Sequence, residues 1–250
     1  MKERYALLDG LRGFTLLSMI AYHGMFDLTQ LYDVPVVWFW HLPGYIWQQS
    51  ICWAFILLSG FCWNLGRHPL KRGLIISGCG LLISLITTLF MPSEKILFGI
   101  LTFTGAAMLL LIPLSKVFDK IPAWAGLASS VLLFILTRNV NRGDFGFASL
   151  DMGDVPKVLY EGLPMTFLGF PDPDFFSSDY FSVFPWIFLY LVGFFLYRVI
   201  VKIPKSKEIL TWKIPVPLLE TAGRNSLLIY LLHQPVLMSF FTVLDRMKIL

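Results

Sequence analysis

Long apolar stretches alternate along this chain with short segments that contain proline or charge. Seven stretches approach the roughly 17–25 mostly apolar residues that a membrane-spanning helix needs. They occupy residues 6–27, 45–66, 73–91, 96–115, 122–138, 180–201 and 222–244. Segments between them, such as RHPLKRG at 67–73 and PSEK at 92–95, carry the proline and charge that a span avoids. The pattern predicts an all-α polytopic membrane bundle of about seven transmembrane helices.

The composition agrees with this prediction. Hydrophobic residues make up 56% of the 250 residues and charged residues 14%, and the mean hydropathy is +0.70, which is too apolar for an ordinary soluble domain. Without an internal repeat or a low-complexity tract, one domain over residues 1–250 is the simplest interpretation. The first apolar stretch carries Asp9 and Arg12 and lacks a small-residue cleavage site, so we expect it to stay in the mature protein. The sequence therefore predicts a multi-pass protein of the cell membrane.

The distribution of basic residues predicts a cytoplasmic N-terminus. With that orientation the inner segments hold 12 Lys and Arg residues and the outer segments hold 6, as the positive-inside rule requires. The net charge of +4 follows from this topology, so it does not indicate binding to nucleic acid. The inner residues are Lys2, Arg4, Arg67, Lys71, Arg72, Lys116, Lys120, Arg198, Lys202, Lys205, Lys207 and Lys213, and the outer ones are Lys95, Arg138, Arg142, Lys157, Arg246 and Lys248.

Two outer segments are too long to be simple connections. Residues 28–44 contain a dense aromatic cluster and no Lys or Arg, which is typical of a segment that lies at the membrane interface or over a cavity. Residues 139–179 form a long polar loop with seven acidic residues, and such loops often bind or cover something, although a solvated connector is the alternative. Asp179, just before the sixth span, is the carboxylate we expect to bind an acceptor or to orient a histidine.

The first span carries a polar stripe. Asp9 and Arg12 are three residues apart, and His23 follows Arg12 by eleven residues, which is about three helical turns, so all three share one face. Ionisable groups inside a membrane cost several kcal/mol unless they face partners or water, which makes them candidate site residues. The alternative for Asp9 and Arg12 is a simple ion pair with Arg12 reaching the interface.

The last span has a similar arrangement. Arg224 and Asn225 lie at its predicted cytoplasmic end, His233 lies near its centre, and Pro235 favours a kink there. A purely structural His233, bonded to a neighbouring carbonyl, is the alternative to a functional one. Asn225 also has a structural alternative, because such residues often hold membrane helices together.

These groups suit transfer of a group from an anionic cytoplasmic donor to an extracytoplasmic acceptor. Arg12 and Arg224 have the fork geometry that grips phosphates, and a neutral imidazole can take a proton from an attacking hydroxyl or amine. A proton-coupled transporter that uses His23 and His233 would display the same groups. A scaffold subunit of an envelope complex is a third hypothesis, under which the histidines would have no chemical role.

Several motifs resemble known acyltransferases. LDGLRGFTLLSMIAYH resembles the first helix of the transmembrane acyltransferase superfamily, in which an arginine and a histidine separated by ten residues recur, as Arg12 and His23 do. A wider set resembles the heparan-α-glucosaminide N-acetyltransferase catalytic-domain family. That set is RYALLDGLRGFTLLSMIAYHGMFDL, FILLSGFCWNLGR, SSDYFSVFPWIFLYLVGFFLYR and GRNSLLIYLLHQPVL. The resemblance implies transfer of an acetyl group from cytosolic acetyl-CoA to a sugar, often an amino sugar, across the membrane.

The resemblance also implies roles for individual residues. Eukaryotic relatives use a histidine in the outer loop after the first span, and His41 in WFWHLPGYIW occupies that segment. Those relatives carry an asparagine where this chain has His23, so His23 and His41 both remain candidates for the catalytic base. Arg12, Arg224, Asn225 and His233 are the residues we expect to contact the acetyl-CoA.

The expected partners are acetyl-CoA, a glycan or amino-sugar acceptor, and the lipid bilayer, and a homo-oligomer stays open. The four histidines are dispersed and have no recognisable metal-ligand spacing, so the sequence predicts no metal. The three cysteines, Cys52, Cys62 and Cys79, lie in apolar stretches and are expected to be small buried hydrophobic residues.

Overall fold

The structure is a computed structural model, and it describes residues 5–214 and 216–248. In this part of the chain there are ten α-helices and one two-stranded antiparallel sheet, and the prediction of an all-α membrane bundle is confirmed. Lys2 and Arg4, which the orientation prediction counts, lie outside the described residues. The helices are α1 (Ala6–Gln30), α2 (Leu42–Trp63), α3 (Pro69–Phe90), α4 (Ile100–Phe118), α5 (Ala123–Thr137), α6 (Gly162–Leu168), α7 (Trp186–Ile200), α8 (Ser206–Thr211), α9 (Pro217–Arg224) and α10 (Ser226–Arg246). The strands are β1 (Asp144–Phe147) and β2 (Leu150–Asp154), and short 3-10 turns occur at Val37–Trp40, Pro92–Glu94, Val140–Arg142 and Lys157–Leu159.

Five helices in the described part of the chain are long and apolar enough to cross a membrane. They are α2, α3, α4, α10 and the stretch Ala123–Arg142, which joins α5 to the turn after it. Helix α1 is long enough but carries Asp9, Arg12 and Asp27, and α7 is apolar but shorter. Each predicted span therefore overlaps a helix. The count of about seven transmembrane helices stays a prediction.

Two helix boundaries differ from the predicted spans. The span predicted at 180–201 becomes helical only from Trp186, directly after Pro185, whose ring fixes φ and removes an N–H donor. The span predicted at 222–244 is broken at Asn225, where the side-chain amide donates to the carbonyl of Thr221 at 2.9 Å and competes with the helical hydrogen-bond ladder.

Contacts within the chain divide it into two compact units. One comprises Met1–Leu58 with Ile203–Leu250, and the other comprises Ser59–Lys202. The first unit thus contains α1, most of α2 and helices α8 to α10, whereas the second contains α3 to α7 and the sheet. One domain over residues 1–250 stays a prediction.

In the first unit, α1 packs against α9 with backbone touching backbone. A Cβ atom on Gly13 would lie 1.9 Å from the carbonyl oxygen of Leu219, and one on Gly223 would lie 1.8 Å from that of Asp9. Only glycine permits so close an approach, which is how helices associate in membranes where apolar side chains gain little from each other. The adjoining core consists of Leu16, Met19, Ile51 and Ala222.

The aromatic segment predicted at 28–44 folds back onto α1 and α2 of the first unit. Phe39 is 3% exposed, and its ring centre lies 5.0 Å from that of Tyr22. The indole N–H of Trp47 donates to the hydroxyl of Ser18 at 2.8 Å. Gly44 lets the start of α2 approach this turn, because a Cβ there would lie 1.8 Å from the Phe39 carbonyl oxygen.

In the second unit, small residues again allow close helix packing. A Cβ on Gly80 would lie 2.7 Å from the backbone nitrogen of Thr102, and one on Gly105 would lie 2.6 Å from that of Ser77, so α3 and α4 are in close contact. Phe103, Tyr190 and Phe194 are among the largest fully buried side chains of this unit.

The segment predicted as a polar loop at 139–179 contains ordered structure. Strands β1 and β2 pair through Gly146 and Asp151, and α6 follows them. The Asn141 amide donates to the carbonyl of Gly169 at 2.7 Å and to the hydroxyl of Ser182 at 2.9 Å. The partly buried amide of Asn141 therefore ties the two ends of the segment together, which its acidic composition did not indicate.

The contact between α1 and α9 generates a stability prediction. We expect Gly13→Ala and Gly223→Ala each to lower the stability of the folded protein by about 1–3 kcal/mol, because the added Cβ pushes the helices apart. The midpoint of thermal unfolding in detergent measures this effect. Gly78→Ala is the matched control, because a Cβ at Gly78 meets nothing within 4 Å. Equal unfolding midpoints for all three variants would contradict the proposed importance of the contact.

Candidate functional site

Two histidines meet where α1 passes α10 in the first unit. The ring centres of His23 and His233 lie 4.9 Å apart with the rings tilted by 54°. Both residues are half-buried. The sequence identified both as candidates but gave no reason to expect them to touch, since they are 210 positions apart.

The hydrogen bond of His233 determines which of its ring nitrogens can act as a base. Its Nδ1 lies 2.5 Å from the carbonyl oxygen of Tyr230, and a carbonyl can only accept, so Nδ1 carries the hydrogen. In neutral imidazole, Nε2 then keeps the lone pair. This Nε2 is buried and has no hydrogen-bond partner among the described residues. The structural bond considered for His233 therefore exists, and it leaves a free basic atom on the same ring.

A buried carboxylate lies one helical turn beyond His23. Asp27 is 1% exposed, and the side-chain nitrogen of Gln234 donates to both of its oxygens, at 2.9 and 3.0 Å. Gln234 directly follows His233, so this contact joins the same two helices as the histidine pair. Sequence analysis missed both residues. The signal available was the spacing of Asp27 four residues after His23, which puts the two on one helix face.

Charged residues cluster near the start of α1. Buried Asp9 lies 3.4 Å from a guanidinium nitrogen of Arg12 and 3.7 Å from one of Arg224. Arg224 also contacts Glu220 at 3.0 Å within α9. The two arginines predicted to hold a donor are thus brought together by one carboxylate, and about a quarter to two-fifths of each side chain is exposed: 26% for Arg12 and 38% for Arg224.

The cluster and the histidine pair share the continuous helix α1. Arg12 and His23 are eleven residues apart, which corresponds to about 16 Å along the helix axis. Asn225, in contrast, is exposed, and its amide bonds the Thr221 carbonyl at the end of α9. Its predicted contact with the donor stays a prediction.

His41 lies in the segment that connects α1 to α2. It is exposed and directly precedes α2, where its carbonyl accepts the N–H of Tyr45 at 3.2 Å. Its neighbour Trp40 lies 6.0 Å from Phe26 of α1, measured between ring centres. The structure thus places His41 on the segment that folds back onto α1, and its role as a base stays a prediction.

Asp179 belongs to the second unit. One of its oxygens accepts the backbone N–H of Ile100 at 3.2 Å, at the first residue of α4. Ser177 supports the same turn, because its hydroxyl accepts the N–H of Leu97 at 2.9 Å. This contact gives Asp179 a helix-capping role, and its assignment to acceptor binding stays a prediction.

Within residues 5–214 and 216–248, no group of three or more His, Cys, Asp or Glu side chains has the arrangement needed to hold a metal ion. The three cysteines form no disulfide with one another; Cys62 is buried, and Cys52 and Cys79 are partly exposed.

Comparison with known proteins identifies one family. A sequence model described as heparan-alpha-glucosaminide N-acetyltransferase, catalytic, matches residues 4–235, a range that includes the charged cluster and the histidine pair. The resemblance found in the sequence motifs is thereby confirmed. No curated protein and no solved structure matches the chain at a significant level.

The capping carboxylate of the second unit gives a pH prediction. Burial raises the pKa of Asp179 to about 6 from its ordinary value of 3.8, and the Ile100 N–H opposes this in part. A raised pKa means that the folded state favours the protonated carboxyl. The resulting stabilisation is complete below about pH 4 and is lost as the pH rises through about 6, with an upper limit of about 3 kcal/mol.

Asp179→Asn should remove this dependence, because the amide keeps an acceptor for Ile100 and does not ionise. We expect the variant to have a higher unfolding temperature than the wild type at pH 7 but not at pH 4. Asp174→Asn, at an exposed position, is the control. If the difference in unfolding temperature between the wild type and Asp179→Asn stayed constant from pH 4 to pH 7, the prediction would be contradicted.

Proposed function

This chain belongs to the heparan-alpha-glucosaminide N-acetyltransferase catalytic family, and from that premise we propose that it is a membrane enzyme that moves an acetyl group from cytoplasmic acetyl-CoA to an extracytoplasmic amino sugar. The observation that carries the proposal is the arrangement along α1, with two arginines at one end and a pair of histidines about three turns away. An anionic donor with a long arm fits such a site.

The arginine cluster is the proposed donor anchor. Arg12 and Arg224 are held side by side by Asp9, and both remain partly exposed. Guanidinium groups bind phosphate oxygens through paired, charge-assisted hydrogen bonds. In this proposal the carboxylates of Asp9 and Glu220 orient the two arginines before the donor binds, and the phosphates of CoA then take over part of their contacts.

The histidine pair is the proposed acid–base centre. The sugar amine attacks the carbonyl carbon of the thioester, a C–N bond forms, and the C–S bond breaks. The amine loses a proton to an imidazole nitrogen, and the imidazole returns a proton to the departing CoA thiolate. His233 offers a lone pair at Nε2 because its Nδ1 is bonded to the Tyr230 carbonyl. His41 remains the alternative base that the family resemblance implies.

Labelled acetyl-CoA tests the proposal directly. Purified protein in lipid nanodiscs, given acetyl-CoA labelled in the acetyl group and glucosamine as the acceptor probe, should release labelled N-acetylglucosamine. We expect His23→Ala and His233→Ala to lower turnover by about 10²–10⁴-fold, the usual contribution of a positioned base. The comparison of His41→Ala with these variants assigns the base.

His68→Ala is the matched control, since His68 lies in the basic segment before α3. Full turnover in all of the His23, His233 and His41 variants would disprove the acid–base proposal. If the wild type showed neither transfer nor hydrolysis with several amino sugars, the proposal that the protein is an acetyltransferase would be disproved.

A proton-coupled transporter is the second candidate, because the contact between His23 and His233 would also suit a proton relay. Proton flux into liposomes that contain the protein but no acyl donor would favour it. Flux that depends on the histidines and not on acetyl-CoA would replace the first proposal.

The donor anchor gives a binding prediction. Each charge-assisted hydrogen bond to phosphate contributes about 1.5–3 kcal/mol, so Arg12→Ala and Arg224→Ala should each weaken CoA binding by roughly ten- to a hundredfold. Calorimetric titration with CoA measures the affinity. Lys207→Ala, at an exposed basic position of the same unit, should bind CoA like the wild type. Unchanged affinity in a folded Arg12→Ala protein would assign that arginine a structural role only.

A further inference from the structure

The stability of the fold alone does not explain the contact between Asp27 and Gln234. Asp27 is 1% exposed, and a buried carboxylate in apolar surroundings costs several kcal/mol unless it is well compensated. Its partner here is the neutral amide of Gln234, whose own Oε1 is buried without a hydrogen-bond partner in the described part of the chain. Replacing such a buried polar contact by apolar residues is often neutral or stabilising.

The position of the contact indicates its use. Asp27 lies one turn after His23 on α1, and Gln234 lies next to His233 on α10, so the polar contact and the histidine pair are neighbours across the same two helices. Close to them, a Cβ on Gly24 would meet Leu237 at 3.7 Å and Phe241 at 3.9 Å, so the neighbouring contact between the two helices is apolar and not tight. Apolar contacts of this kind tolerate sliding, whereas a hydrogen bond specifies both rotation and height.

We propose that Asp27 and Gln234 are positioning residues that fix α10 against α1 and so hold the His233 imidazole beside His23. This inference rests on the proposed acetyl transfer for its catalytic consequence, although the geometry it asserts is independent of the reaction. Asp27 acts through the histidines and does not touch the substrate in this scheme.

Apolar replacement separates positioning from stability. For Asp27→Leu/Gln234→Leu we expect an unfolding temperature equal to or above that of the wild type, because the buried polar groups are gone. We expect kcat to fall by about 10- to 100-fold, since small displacements of catalytic groups have effects of that size. The KM for acetyl-CoA should change by less than about twofold, because Arg12 of the donor anchor lies about four turns from Asp27.

Two further variants keep the proposal falsifiable. The reciprocal exchange Asp27→Gln/Gln234→Asp rebuilds the hydrogen bond and should recover most of kcat. Asp27→Ala/Gln234→Ala, which also removes both hydrogen-bonding groups, decides the matter if the leucine variant does not fold. Thr29→Val is the control, because the Thr29 hydroxyl is buried but bonds only carbonyls of its own helix among the described residues. Wild-type kcat in a folded Asp27→Leu/Gln234→Leu or Asp27→Ala/Gln234→Ala protein would overturn the proposal.

Cross-linking measures the geometry without catalysis. In a background where Cys52, Cys62 and Cys79 are replaced by alanine, His23→Cys/His233→Cys should be linked rapidly by a short bis-methanethiosulfonate. Adding Asp27→Leu/Gln234→Leu should slow this linking several-fold, and the reciprocal exchange should restore it. Equal rates in all three would overturn the positioning role. If the wild type transfers no acetyl group, the proposed function fails, and the cross-linking rates alone decide this inference.

Discussion

The close approach of α1 and α9 is the contact on which the first unit depends. Lipid offers apolar side chains nearly the same environment as a protein interior, so helices in membranes associate where small residues let their backbones touch. Gly13 and Gly223 provide this contact from opposite sides. Because α9 is seated on α1, Arg224 reaches Asp9, and the turn at Asn225 directs α10 along the same helix.

The polar side chains inside the first unit form two clusters with different kinds of partner. Near one end of α1, opposite charges are paired, with Asp9 between Arg12 and Arg224. Farther along, the contacts are of another kind: His23 meets His233, and Asp27 is held by the neutral amide of Gln234. The charged group suits binding of an anion, whereas neutral imidazoles suit proton transfer. Under the proposed acetyl transfer, one helix provides an anion-binding group and a proton-transfer group at a fixed separation.

Part of the site was predictable because it follows from helical periodicity. The spacing of Asp9, Arg12 and His23 indicated one polar face, and the structure brings Asp9 and Arg12 together on it. Asp27 was missed although it lies four residues after His23 on the same helix face. Gln234 was missed because its partner Asp27 is 207 positions away. The break at Asn225 was also missed, although Arg224, Asn225 and Ser226 interrupt the apolar pattern there.

The sequence by itself indicated the membrane environment, the positions of the helices and the family. Long apolar stretches, proline and charge act locally, and the family motifs are contiguous in the chain. The sequence could not determine which helices touch, since Arg224 and Asp9, like His233 and His23, are more than two hundred positions apart. The bonds of Asn141 to Gly169 and Ser182 likewise join residues that are 28 and 41 positions apart. Only the tertiary structure decided these pairings, because they arise from backbone contacts at glycines and from buried hydrogen bonds whose partners are distant in the chain.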